Sequence, residues 1–193
     1  MPRRNARAGA ALFRPLETAR LRLEPIRADH AAAMFEGLHE PSLYAYQTDE
    51  PPADLTSLRE RYAQLATGRA PTGEHHWLNW IVVRSDSGDA AGYVQATLAK
   101  DGTKAEIGYL ILVAHQGRGF AREAVGATVQ HLFGARVESV HAVVDARNLA
   151  SIALLERLGF VRRGTERSED VIGGVRWFDH QYVLEIPGAE GCR

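Results

Sequence analysis

Residues 105–133 limit the possible folds more than any other part of this chain. Residues 105–113 are mostly apolar and contain no proline, which suits a central strand covered on both faces. Gln116, Gly117, Arg118 and Gly119 then form a turn. After it, apolar residues recur at Phe120/Ala121, Ala124/Val125, Thr128/Val129 and Leu132/Phe133, one face of an amphipathic helix. The first-turn N–H groups of that helix lack intrahelical acceptors. Gly117 and Gly119 would let an anion such as pyrophosphate reach them with no side chain in the way, and Arg118 and Arg122 add positive charge. A plain strand-to-helix connection reads equally well from these residues. The common nucleotide motifs do not fit: the Gly-Lys-Ser/Thr ending is missing, and Arg122 stands where the dinucleotide fingerprint needs a small residue.

The rest of the chain alternates short strands with helices. The patterns predict strands over 20–26, 77–84, 90–99, 103–113, 139–145, 160–168 and 175–186. One helix is expected from Asp29 through Leu38, and a second after Pro51-Pro52, with Asp54 as its cap and Leu55, Leu58, Tyr62 and Leu65 on one face. Another follows Phe120, and the last runs over 148–158 and ends at Gly159. Tight turns at 85–89 and at Asp101-Gly102 make three antiparallel strands in a row. The strand at 139–145 is reached by a right-handed crossover and lies parallel to its neighbour. A hairpin around Gly173-Gly174 closes the chain. The fold class is α/β (α+β): one domain, a mixed and mainly antiparallel sheet flanked by helices, with its middle strands diverging.

The chain's 193 residues suit one domain with a full core, taken as 16–187, between a basic arm at 1–15 and a tail at 188–193. Residues 1–14 hold four arginines and no acid, a pattern that a signal or transit peptide would share. The apolar stretch at 8–13 is too short for a secretory core and serine is not enriched, so a flexible arm is expected. Net charge is -1, which gives nucleic acid no basic surface to bind. No apolar run approaches the roughly 20 residues needed to span a bilayer. Cys192, the single cysteine, excludes an internal disulfide and a cysteine zinc site, and a cytoplasmic location is expected. His75 and His76 are adjacent in an extended segment and point opposite ways, so no metal site is expected there.

Two blocks carry a resemblance to a known family. Gln116-x-x-Gly119-x-Ala121 after an apolar strand resembles the acyl-coenzyme A pyrophosphate loop of the GNAT N-acetyltransferase superfamily. Asn148-x-x-Ser151, followed by Leu158-Gly159-Phe160, is similar to the superfamily's second coenzyme A segment. Leu21-Arg22-Leu23-Glu24-Pro25 and Trp177-Phe178-Asp179 resemble the branch of ribosomal-protein alanine and serine acetyltransferases. The likeness covers roughly residues 16–186.

The resemblance implies acetyl-coenzyme A as co-substrate, without a metal, bound by Gln116, Gly117, Arg118, Gly119, Phe120, Ala121, Asn148 and Ser151. It further implies that the main chain of Ile111, Leu112 and Val113 bonds the pantetheine, and that one N–H there polarises the acetyl carbonyl. Many members carry a tyrosine seven residues after the asparagine, but here that position is Leu155. Ser151 is then the candidate proton donor to the leaving thiolate, with a first-turn serine satisfying backbone as the alternative. The general base is expected at Glu106 on the central strand, with Glu169 and Asp170 as other candidates. Tyr44, Tyr46, Asp49 and Glu50 lie in a helix-to-helix segment that would border the acceptor, an acidic and aromatic lip suited to a cation.

The expected activity is acetyl transfer to a primary amine by direct attack in a ternary complex. An α-amine near pKa 8 costs roughly 1.4 kcal/mol to neutralise at pH 7 and a lysine near 10.4 roughly 4.6, which favours a protein or peptide N-terminus. The alternatives are a small amine (an antibiotic, polyamine or amino acid) and a non-catalytic acyl-coenzyme A binding module. Expected partners are acetyl-coenzyme A and the acceptor, with no nucleic acid and no membrane. The oligomeric state is left open, a homodimer included.

Overall fold

A computed structural model describes residues 12–70, 73, 75–168 and 176–186. The elements are β1 (Leu16–Glu17), β2 (Leu21–Pro25), α1 (Ala31–Phe35), α2 (Leu55–Ala66), β3 (His75–Arg84), β4 (Ala90–Ala99), β5 (Lys104–Ile111), α3 (Phe120–Gly134), β6 (Ser139–Asp145), α4 (Leu149–Arg157), β7 (Val161–Arg167) and β8 (Phe178–Glu185). The eight strands form one sheet in the order β1-β2-β3-β4-β5-β6-β8-β7. Every pairing is antiparallel except β5 with β6.

Strand alternation sends side chains to two cores, one on each face. Leu21, Leu23, Trp80, Val82, Val94, Ala96, Ile107 and Ile111 pack with Phe120, Ala124, Val125, Val129 and Leu132 of α3 and Leu155 of α4. Ile81, Val83, Leu110 and Leu112 pack on the other face with Met34 of α1 and Leu58 and Tyr62 of α2. The sheet therefore has α3 and α4 on one side and α1 and α2 on the other.

Two helices start where local chemistry demands. Asp54 caps α2 by accepting from the Ser57 N–H at 2.7 Å, and Asn148 caps α4 by accepting from the Ser151 N–H at 3.1 Å. The helix expected from Asp29 to Leu38 is broken instead into 3-10 turns at Ala28–His30 and Glu36–His39 around α1. Gly37 marks close packing here: a Cβ would lie 2.8 Å from the Leu112 side chain.

Within the stretch 1–15 expected as an arm, residues 12–14 contact the domain. Leu12 is buried, Phe13 packs edge-on to Trp80, the Trp80 indole N–H donates to the Arg14 carbonyl at 2.9 Å, and a His131 ring nitrogen lies 2.7 Å from the Leu12 carbonyl. Buried Leu12 and half-buried Phe13 draw residues 12–14 into the domain. Residues 1–11, the Gly173-Gly174 hairpin and the tail at 188–193 lie outside the described residues, as do Glu169 and Asp170.

The feature that positions the site is the parting of β5 from β6. The two pair only at Lys104/Ser139, Ala105/Val140 and Glu106/His141. Beyond that point β5 keeps β4 as its partner to Ile111, and β6 keeps β8 to Asp145. The middle of the sheet thus opens into a wedge with unpaired backbone on the β5 side.

Candidate active site

Loop geometry at the end of β5 comes directly from the two glycines. A 3-10 turn at Val113–His115 leads into Gln116, whose amide donates to the Ile111 carbonyl at 2.9 Å and ties the loop to the strand end. Gly117 and Gly119 have φ of +74° and +79°, a left-handed conformation that residues with a Cβ resist. Gly119 is the N-cap of α3, so the N–H groups of Phe120, Ala121 and Arg122 face outward without intrahelical acceptors. A Cβ on Gly117 would meet nothing within 4 Å, so space lies open above the loop. The loop fits a pyrophosphate by these N–H groups, this space and the nearby arginines.

From the loop, a groove of about 640 Å³ runs between α3 and α4. Its walls include Gln116, Gly117, Gly119, Phe120, Ala121 and Arg122 on one side, and Asn148, Ser151, Leu154 and Arg157 on the other. The carbonyl of Arg118 is turned away and accepts from the Arg20 guanidinium at 3.0 Å. His115 also lines the groove. Burial, with the charges of Arg84 and Arg118, pushes its pKa down, so it is neutral at pH 7.

Strand parity decides which backbone groups of β5 face the wedge. The Leu112 N–H is bonded to the Ala91 carbonyl at 2.9 Å, so even-numbered residues here turn toward β4. Odd-numbered Tyr109 and Ile111 turn their N–H groups to the opposite edge, where β6 has left. Of Ile111, Leu112 and Val113, Leu112 therefore cannot offer a free N–H, and exposed Val113 has already left the strand. The Ile111 N–H remains.

Two smaller cavities lie nearby, one on the α1/α2 face and one in the wedge. One of about 50 Å³ is lined by Tyr44, Asp49, Glu50, Arg61, Tyr62 and Tyr93, among others. The next, of about 210 Å³, sits in the wedge and is lined by Tyr46, Asp49, Gln95, Gly108, Tyr109, Asp145, Asn148 and Ser151. Burial raises the pKa of Tyr62, and that of Tyr93 is pushed up to about 12 by burial and by the Asp49 charge, so both phenols keep their protons. The Tyr62 hydroxyl is buried without a hydrogen-bond partner among the described residues. Asp145 is shut in the wedge wall. Burial pushes its carboxyl up, but hydrogen bonds and charge from Arg147 hold it below the usual aspartate range. Arg147 in turn lies over the Trp177 ring at 4.2 Å and the Tyr46 ring at 5.8 Å, which joins the 40–50 segment to the start of β8.

The residues singled out in the sequence thus fall unevenly. Tyr44, Tyr46, Asp49 and Glu50 come together around the two small cavities, and the loop residues and Asn148 gather along the groove. Glu106 stands exposed opposite His141 at the last β5/β6 pair, below the opening, and lines none of these three cavities. Arg118 does not line the groove either. Sequence reasoning missed Tyr109, Arg157, Tyr93 and the Asp145–Arg147 pair. The only sequence signal for Tyr109 was its place on β5. No group of three or more His, Cys, Asp or Glu able to hold a metal occurs among the described residues.

A split sheet with a helix-capped glycine loop at its opening is the frame of an acyltransferase. Residues 20–161 match the family model described as acetyltransferase (GNAT) domain, well over half of the chain, and the protein belongs to that family. Relatives bear this out: the uncharacterised N-acetyltransferase YoaA of Bacillus subtilis (strain 168) is 29% identical over 178 residues, 91% of this chain and 99% of that one. Among solved structures, the ribosomal-protein-S5-alanine acetyltransferase of Vibrio fischeri superposes with a TM-score of 0.75 at 20% identity, covering 89% of this chain and 96% of that one. The microcin C7 self-immunity acetyltransferase MccE, solved in complex with acetyl-CoA and AMP, gives 0.77 at 16% identity, covering 88% and 94%. At these identities the two structures establish the fold. The chain is therefore an N-acetyltransferase of the GNAT family. No helix among the described residues is long and apolar enough to cross a membrane.

Proposed function

We propose that the protein transfers the acetyl group of acetyl-coenzyme A to the α-amine of a protein or peptide N-terminus. The observation that carries this reading is the size and lining of the acceptor side. Cavities of about 50 and 210 Å³ with Asp49 on the wall of both are too small to enclose a drug-sized amine, for which pockets of roughly 300–1,000 Å³ are usual. They suit a terminal residue whose amine enters while the chain stays outside. The structural relatives act on a ribosomal protein and in microcin immunity by their names, so they favour neither acceptor class.

In this reading the loop at 116–119 and the first turn of α3 hold the pyrophosphate, with Arg122 and Arg157 neutralising it. Asn148 caps α4 through its side-chain oxygen, which leaves its NH2 for the coenzyme. The Ile111 N–H polarises the thioester carbonyl. The Asp49 carboxylate draws in the ammonium and takes its proton, directly or through water; Glu106 keeps that role only at longer range. Ser151 lines both the groove and the wedge cavity, beside the place where the sulfur departs.

The test is thiol release from acetyl-coenzyme A with short peptides bearing free Ala, Ser or Thr N-termini, beside aminoglycosides and polyamines. Turnover on a peptide that vanishes when its α-amine is blocked supports the proposal. Turnover on small amines alone replaces it with the small-amine reading.

A further inference from the structure

We propose that Tyr109 is the hydroxyl that meets the departing thiolate, supplied from β5 in place of the tyrosine that α4 lacks at Leu155. The inference rests on the groove and the wedge cavity serving donor and acceptor as proposed above.

Acyl transfer has to occur where those two spaces meet. Five residues line both: Tyr46, Gln47, Tyr109, Asn148 and Ser151. Three of them carry a hydroxyl. Tyr46 is 45% exposed and sits beside Arg147, at the outer rim. Tyr109 and Ser151 lie deeper, on opposite walls, one on β5 and one on α4.

The Tyr109 hydroxyl is buried and makes no hydrogen bond of ordinary geometry with the described residues. Proteins rarely leave a buried hydroxyl unpaired, and such a group commonly marks a place that a ligand completes. Its neighbour is the Ser151 hydroxyl, close enough to act on the phenol. Burial raises the Tyr109 pKa, and the serine offsets this only in part, so the phenol keeps its proton throughout the neutral range. Leu155, by contrast, is 1% exposed in the apolar core and has no proton to give. The wall that bears Leu155 also lines the wedge cavity with Tyr109, so the same space is served from its other side.

The amine lone pair forms the C–N bond, the C–S bond breaks, and sulfur leaves with the electron pair. Tyr109 gives its proton to that sulfur, with Ser151 holding the phenol toward it. The proton lost by nitrogen passes to the carboxylate or water, and solvent returns one to the phenolate. A thiol of ordinary pKa near 8.5 gains from such a donor without depending wholly on it.

The experiment compares the parent with Tyr109→Phe, using acetyl-coenzyme A and its selenoester analogue, whose selenol departs as an anion. Release is followed with the best amine of the panel, or with water as acceptor where no amine is taken, so an error about the acceptor shows as silence of the parent with amines alone. The expected result is a kcat lowered on the order of 10- to 100-fold with the thioester. KM for acetyl-coenzyme A should stay within about twofold, and the selenoester should bring the variant within about threefold of the parent. An unchanged kcat with the thioester, or an equal deficit with both esters, would overturn the proposal. Phenylalanine keeps the ring and removes only the hydroxyl, so the variant should melt close to the parent.

Discussion

The Arg20 guanidinium donates to the backbone carbonyl of Arg118 at 3.0 Å, across 98 positions of chain. The same side chain pairs with Glu123 at 2.6 Å and lies over the Phe120 ring at 5.0 Å. Glu123 also accepts from the Thr18 hydroxyl at 2.6 Å. The turn between β1 and β2 thus braces the glycine loop from behind, on the side away from the groove.

Arg20→Ala should therefore weaken acetyl-coenzyme A binding without removing a coenzyme contact. The pair with Glu123 is half exposed and contributes little alone; the bond to the loop carbonyl matters more. Calorimetry should show a three- to tenfold rise in Kd, and an unchanged Kd would mean the loop holds its own shape.

Gly119→Val should cost more. The position requires φ of +79°, where a side chain adds about 1–2 kcal/mol of strain, and its Cβ would stand 3.4 Å from the Arg20 guanidinium. A Kd raised at least tenfold is expected. Gly117→Ala, with φ of +74° but open space around it, should pay the strain alone and lose less. Equal losses at the two positions would argue against this difference.

Ser151→Ala should lower kcat several-fold and leave the Kd for acetyl-coenzyme A near its starting value. The Ser151 N–H to Asn148 cap is main chain and survives the change, so helix stability should hold. A loss of affinity with no loss of kcat would restrict the serine to binding.

Asp145→Ala should destabilise the fold by about 2–3 kcal/mol, less than a fully buried pair because Arg147 is 48% exposed. The sign of the pH dependence follows from the lowered pKa of Asp145. Its folded value lies below the unfolded one near 3.9, so its contribution is complete above about pH 5 and is lost as the pH falls below that range. Melting curves of parent and variant should keep a constant gap from pH 5 to 8 and draw together as the pH falls below about 4. A gap that widened in acid would contradict the assignment.

Most elements were legible because their signals are local. Asp54 and Asn148 cap helices through bonds three residues away, and the apolar run at 77–84 reads as a strand buried on both faces. The glycine loop was legible too, since Gly117 and Gly119 leave the helix start open to an anion, and both adopt positive φ. The contacts of Leu12 and Phe13 were not legible because their partners, His131 and Trp80, lie far away in sequence.

By itself, then, the sequence determined the order of strands and helices, the loop that faces the groove and the family they belong to. Tertiary structure decided which carboxylates and hydroxyls line the cavities. Glu106 and Tyr109 are three residues apart on one strand, yet the first lies opposite His141 and the second opens onto the wedge. The cause is the parting of β5 from β6 after Glu106, a long-range event set by which strand each keeps as its partner, and no residue pattern within β5 records it.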